Sequence, residues 1–162
     1  MAAEPVNMNA PADPRHPPAS ALFLREDEVR RGLELLHIAQ LRLNQATEAV
    51  RARHGLGRAH QRALYFIARN RDASIGRLLV LLGVTKQSLS RVVAELVERN
   101  LIEMRVGRDD RRQRLLRLTA QGEVLEAEIF ECLRRHMAAA YARAGQDAVS
   151  GYWAVLDGLG KD

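Results

Sequence analysis

Lys86, Gln87, Ser88, Ser90 and Arg91 crowd the first turns of one helix that the sequence predicts. Amide, hydroxyl, ammonium and guanidinium groups at that density can hydrogen-bond base edges and phosphate oxygens. Apolar residues Leu89, Val92, Val93, Leu96 and Val97 fall at the i, i+3/i+4, i+7/i+8 spacing of one buried stripe. At about 100° per residue, Gln87, Arg91, Ala94 and Glu98 lie opposite that stripe, with Ser88 and Ser90 flanking them. Thr85 is placed to cap the helix, which is expected over 85–99. Gln87, Ser88 and Arg91 are the expected readers of base edges, and Lys86 and Ser90 the expected phosphate contacts. Beyond the helix, a charged turn, Gly107-Arg108-Asp109-Asp110-Arg111-Arg112, adds further cations.

These groups need a frame. Short alternating runs at about 102–106 and 114–118 flank the charged turn and predict a β-ribbon across 102–118. Upstream, Gly76 to Leu82 reads as a short helix closed by Gly83, and Ser74-Ile75 as a brief strand. The short helix, a tight turn and the Thr85 helix make a helix-turn-helix. Arg58 to Arg69 is the preceding helix, with Ala59, Ala63, Leu64, Phe66 and Ile67 expected inward.

Both ends are helical support. From Glu26, with Asp27 and Glu28 suited to a helix's positive end, one helix of about 27 residues, roughly 40 Å, is expected to run until Gly55 stops it. Its apolar residues Val29, Leu33, Leu36, Ile38, Leu41, Leu43 and Val50 spread over more than one face. After Gly122 a helix at about 120–143 is expected to bury Val124, Leu125, Ile129, Leu133 and His136 or Ala140. A last helix restarts at Gln146 with Val149, Tyr152, Trp153, Leu156 and Leu159. That surface exceeds what one small core covers, so these helices are expected to form a dimerisation bundle. Residues 1–20 hold all five prolines and are expected to be a flexible tail. The resulting division is 1–20 tail, 21–54 dimerisation helix, 55–119 winged helix-turn-helix and 120–162 dimerisation helices, a mainly α fold with a small β-wing.

Charge supports the same division. Residues 55–118 carry 14 basic against 6 acidic side chains, a net +8, whereas 1–54 carry 7 of each and 119–162 carry 4 against 7. A positive centre between neutral and acidic ends suits a nucleic-acid face on a separate scaffold. No Gly-rich phosphate loop and no Ser-His-Asp or Cys-His constellation stands out, so neither catalysis nor a cofactor is expected. His54 and His60 stand six apart, which is no recognised zinc spacing, and no metal is expected either. A single cysteine, Cys132, rules out an internal disulfide framework and reads as a packing residue. With no signal peptide and no apolar run of membrane-spanning length, the chain is expected to be cytoplasmic.

From about residue 25 to its end the chain resembles the MarR family of bacterial winged-helix transcription regulators. The resemblance is carried by Leu82-Gly83-Val84-Thr85-Lys86-Gln87-Ser88-Leu89-Ser90-Arg91, by Glu98-Arg99-Asn100-Leu101-Ile102, and by Asp110-Arg111-Arg112 through Leu118-Thr119-Ala120-Gln121-Gly122. Asn100 stands where the family usually has Gly, and Val106-Gly107 lacks the family's usual proline. The resemblance implies a homodimer on a pseudo-palindromic double-stranded DNA operator, repression as the expected outcome, and often an effector pocket. It implies that Asp110 orients Arg112 into the minor groove, with Arg108 and Arg111 beside them. A cleft where the first helix and the 58–69 helix meet the winged region would take a small aromatic or anionic effector, with His37, His60 and Tyr65 on segments that could line it. The competing expectation is a winged-helix module that binds a protein partner or DNA without sequence preference.

Overall fold

Glu26, Asp27 and Glu28 open helix α1 (Glu26–Ala46), and Glu26 pairs one turn on with Arg30 at 2.6 Å. The computed structural model describes residues 24–107 and 113–161. The proline-rich segment 1–20 and the turn residues Arg108, Asp110, Arg111 and Arg112 lie outside the described residues. The chain divides into two units, residues 1–41 and 42–162. In the first, α1 leaves Val29, Leu33, Leu35, Leu36, Ile38 and Leu41 all exposed.

The second unit begins with the last turn of α1. It continues through α2 (Glu48–Arg53), α3 (Arg58–Arg69), β1 (Ala73–Ser74), α4 (Ile75–Leu82), α5 (Lys86–Glu98), β2 (Ile102–Val106), β3 (Arg114–Leu118), α6 (Ala120–Ala144) and α7 (Gln146–Leu159). The single helix expected up to His54 is therefore two. Thr47 stands between them with its hydroxyl 3.1 Å from the Asn44 carbonyl and 2.9 Å from Gln61 Oε1. A hydroxyl that bonds back to a carbonyl of the preceding turn competes with the helix ladder. The buried Arg51 closes this joint, donating to Thr47 Oγ1, to the Asn44 carbonyl and to Glu48 Oε2.

The three strands form an antiparallel sheet in the order β1-β3-β2. Ile102 pairs with Leu118, Met104 with Leu116 and Val106 with Arg114, and Ala73 meets Leu116 from the other edge. Leu116 thus sits in the middle of the sheet and is fully buried. With Leu64, Ile67, Leu78, Leu89, Leu96 and Ile102 it forms one core that joins α3, α4, α5 and the sheet. Each such side chain contributes about 1.5–3 kcal/mol by leaving water.

The core is smaller than the sequence suggested at two places. Ala59 is exposed on α3 while Ala63, Leu64 and Ile67 are buried. On α6, Leu125 and Ile129 are buried and Leu133 is half-buried. Val124 is 72% exposed, and His136 and Ala140 face solvent. A helix of 25 residues is roughly 37 Å long, so its first half covers the core and its second half outruns it.

Candidate nucleic-acid interface

Two capped helices and a left-handed turn hold the polar cluster in place. Ser74 Oγ accepts from Arg77 N at 3.2 Å and starts α4; Gly83, at φ 61°, ends it with its N–H on the Leu79 carbonyl. Thr85 Oγ1 then accepts from Ser88 N at 3.2 Å and starts α5. Arg62 on α3 donates to the Leu82 carbonyl at 2.9 Å, satisfying one of the acceptors a helix end leaves open. With Leu89, Val93 and Leu96 buried behind them, Lys86, Gln87, Ser88, Ser90 and Arg91 all lie exposed on the opposite face of α5. The structure brings these five together.

Arg91 is not a free cation. Its Nε donates to Glu95 Oε1 at 3.2 Å, and Glu95 Oε2 lies 2.7 Å from His60 Nε2 on α3. His60 Nδ1 in turn accepts the Gly57 N–H at 3.0 Å. That acceptor role leaves the ring proton on Nε2, which donates to Glu95. This bond, more than any other group, holds the Glu95 carboxyl below its ordinary pKa. Sequence reasoning missed Glu95. Its i+4 spacing from Arg91 was visible, but the bond to His60 spans 35 residues and leaves no local signal.

The ribbon is anchored at its base. Arg117 on β3 grips Asp72 with Nε to Oδ1 at 3.1 Å and Nη2 to Oδ2 at 2.5 Å. Arg117's hydrogen bond is the main reason the Asp72 carboxyl titrates below its usual value, and Arg117 rises in turn. Asp72 adopts φ 60° in the turn before β1. At the far end Gly107 N donates to the Gln113 carbonyl at 3.0 Å, closing the ribbon beneath the turn. Arg105 and Arg114 stand exposed on its two arms, Arg105 beside Glu103. The four turn residues expected at the ribbon's tip lie outside the described residues.

Where the ribbon returns to helix, the Leu-Thr-x-x-Gly motif acts as a joint. Thr119 caps α6 by accepting from Gly122 N at 3.0 Å, and it donates from its hydroxyl to the Asn100 carbonyl at 2.6 Å. Asn100 takes φ 56°, the left-handed conformation that Asn tolerates in place of Gly.

Tyr65 lines a cavity of about 180 Å³ between α3 and α6, with Arg62, Phe66, Glu126, Phe130 and Leu133 among its walls. Burial raises the Glu126 carboxyl's pKa. His60 does not line this cavity, being held by Gly57 and Glu95, and His37 lies on α1 in the other unit. Among the described residues, no three of His, Cys, Asp or Glu gather as a metal site, and no helix is long and apolar enough to cross a membrane.

Comparison with known proteins bears on this arrangement. The family model described as MarR family matches residues 54–113. The chain is 43% identical over 138 residues to the HTH-type transcriptional regulator PetP of Rhodobacter capsulatus, covering 85% of this chain and 83% of that one. Among solved structures it resembles a MarR family transcriptional regulator from Silicibacter pomeroyi, with a TM-score of 0.67 at 21% identity over 77% of this chain and 84% of that one. It also resembles a MarR family protein of Mycobacterium tuberculosis in complex with p-aminosalicylic acid, with a TM-score of 0.56 at 20% identity over 79% and 97% of the two chains.

Proposed function

The chain belongs to the MarR family of DNA-binding transcription regulators and is not an enzyme, and we propose that it acts as a homodimeric repressor on a pseudo-palindromic operator. The observation that carries this reading is the exposed polar face of α5, backed by its buried stripe and flanked by a cationic ribbon. In it, Gln87, Ser88 and Arg91 read base edges in the major groove, and Lys86 and Ser90 touch phosphates. The turn enters the minor groove, where Asp110 orients Arg112 and Arg108 and Arg111 add charge. Two copies related by a two-fold axis would present their α5 helices about one DNA turn apart, roughly 34 Å. The dimer reading is supported by the apolar residues left exposed on α1, and separately by those on α7. Such a protein works where the chromosome is, in the cytoplasm.

A small aromatic or anionic effector would bind the cavity beside Tyr65, with Arg62 as the cation at its wall. The Mycobacterium tuberculosis relative held an aromatic carboxylate, which supports that ligand class. Bound there, it would favour a dimer spacing that no longer fits the operator. A set of aromatic carboxylates should raise the melting temperature and weaken operator binding, and Tyr65→Ala should abolish both effects.

The test of the main reading is a gel shift on the DNA upstream of this protein's own gene. Operator and scrambled competitors are compared over a salt series. Sequence-specific competition supports regulation. Binding that any competitor displaces equally would favour nonspecific DNA binding instead.

A further inference from the structure

We propose that His60 and Glu95 orient Arg91, which makes an imidazole on α3 a positioning residue for a base contact it does not itself make. The proposal rests on the reading of α5 as the base-reading helix. An arginine on an exposed helix face ordinarily samples many rotamers, and an i,i+4 carboxylate alone holds it weakly. Here the carboxylate is itself held. Glu95 presents Oε2 to His60 at 2.7 Å and Oε1 to Arg91 at 3.2 Å, so its two oxygens are divided between the core side and the solvent side. Side-chain exposure rises outward along the chain of bonds, from 13% at His60 through 35% at Glu95 to 85% at Arg91. The inner end is fixed to backbone, because His60 Nδ1 accepts the N–H of Gly57, the residue that caps α3.

This arrangement uses Nε of Arg91 and, among the described residues, engages neither Nη group. Those two groups form the fork that matches the O6 and N7 acceptors of guanine in the major groove. The ligand the geometry selects is therefore a guanine in each half-site. A latch that merely joins α3 to α5 would be redundant, since Leu64, Ile67, Leu89 and Leu96 of those helices already share one core.

The experiment compares His60→Ala, Glu95→Gln, Arg91→Ala and the His60→Ala/Arg91→Ala double variant in the full-length protein. Affinity is measured on the operator, on operators with each half-site base pair replaced in turn, and on scrambled DNA. Arg91→Ala should erase the preference at one G·C pair. His60→Ala should weaken operator binding by about 3- to 10-fold through that same pair, in the range of coupling between contacting residues, and leave scrambled DNA unaffected. Glu95→Gln keeps an acceptor for His60 but turns an amide toward Arg91, so it should behave like His60→Ala in DNA binding with only a small drop in melting temperature. In the Arg91→Ala background the His60 change should add nothing. A His60 effect that persists in that background, or that falls equally on every DNA, would overturn the proposal and leave a simple latch. If Arg91→Ala itself altered no base preference, Arg91 would not be a base contact and the proposal would fail, while the reading of α5 would stand or fall on Gln87.

Discussion

Gly122 approaches the Leu101 carbonyl so closely that a methyl group on its α-carbon would lie 1.9 Å from that oxygen. The same oxygen accepts the Thr119 N–H at 3.1 Å, so it cannot retreat without loosening the joint between α5, the ribbon and α6. Gly122→Ala should therefore destabilise the protein by about 2 kcal/mol or more, in the manner of an overpacked core. Gly151 in α7 has nothing within 4 Å of the same position. There Ala should be neutral or stabilising by up to about 1 kcal/mol through helix propensity. Thermal or urea melts compare the two variants, and a Gly122→Ala protein that melts no lower than Gly151→Ala would show that the approach at Leu101 relaxes freely.

That contrast also marks what was legible. The stripe of Leu89, Val93 and Leu96 and the strands at 102–106 and 114–118 follow from local periodicity, and the structure places them where that periodicity does. Thr119 and Gly122 stood out as a motif, yet the reason for the glycine, a carbonyl 21 positions back, is not local. The Thr47 joint was missed because one hydroxyl and the buried Arg51 outweigh a helical pattern that continues across them. Val124 was misplaced because a near-heptad pattern cannot say how far the core extends along α6. The sequence places His60 only on a segment that could line a cleft; its bond to Glu95 on another helix leaves no local signal.

Asp72 and Arg117 give the sheet a pH-dependent anchor. The carboxyl's pKa is lowered in the folded protein, so its contribution is fully present above the unfolded value near 4 and is lost as pH falls through the folded one. Asp72→Asn removes the charge while tolerating φ 60°. The variant should melt lower than the parent at pH 6, with the gap closing as pH falls below the unfolded value near 4. A gap that stayed constant over that range would show that the pair adds no charge-dependent stability.

Trp153 is 56% exposed on α7 while its indole N–H reaches the Tyr141 hydroxyl at 3.1 Å, and Leu156 on the same helix is 37% exposed. In a homodimer both would be covered. Trp153→Asp or Leu156→Asp should give folded monomers by sedimentation. These should bind operator DNA about 100-fold or more weakly, since two half-sites would no longer be engaged together. A parent protein that sediments as a monomer at micromolar concentration would sink the dimer reading.

The turn and the helix should fail in different ways. Arg112, assigned to the minor groove by the family motif, would act through charge and groove width, with Asp110 pre-setting a long side chain. Arg112→Ala should weaken binding to every sequence and flatten the salt dependence by about one phosphate's worth. Gln87, exposed in the first turn of α5, would act through its amide on a base edge. Gln87→Ala should relax preference at one operator position by about 1–3 kcal/mol and leave the salt slope intact. Affinities on operator and scrambled DNA over a salt series separate the two. Equal weakening of both DNAs by Gln87→Ala would remove α5 from the major groove, because a residue that only adds attraction cannot distinguish one base pair from another.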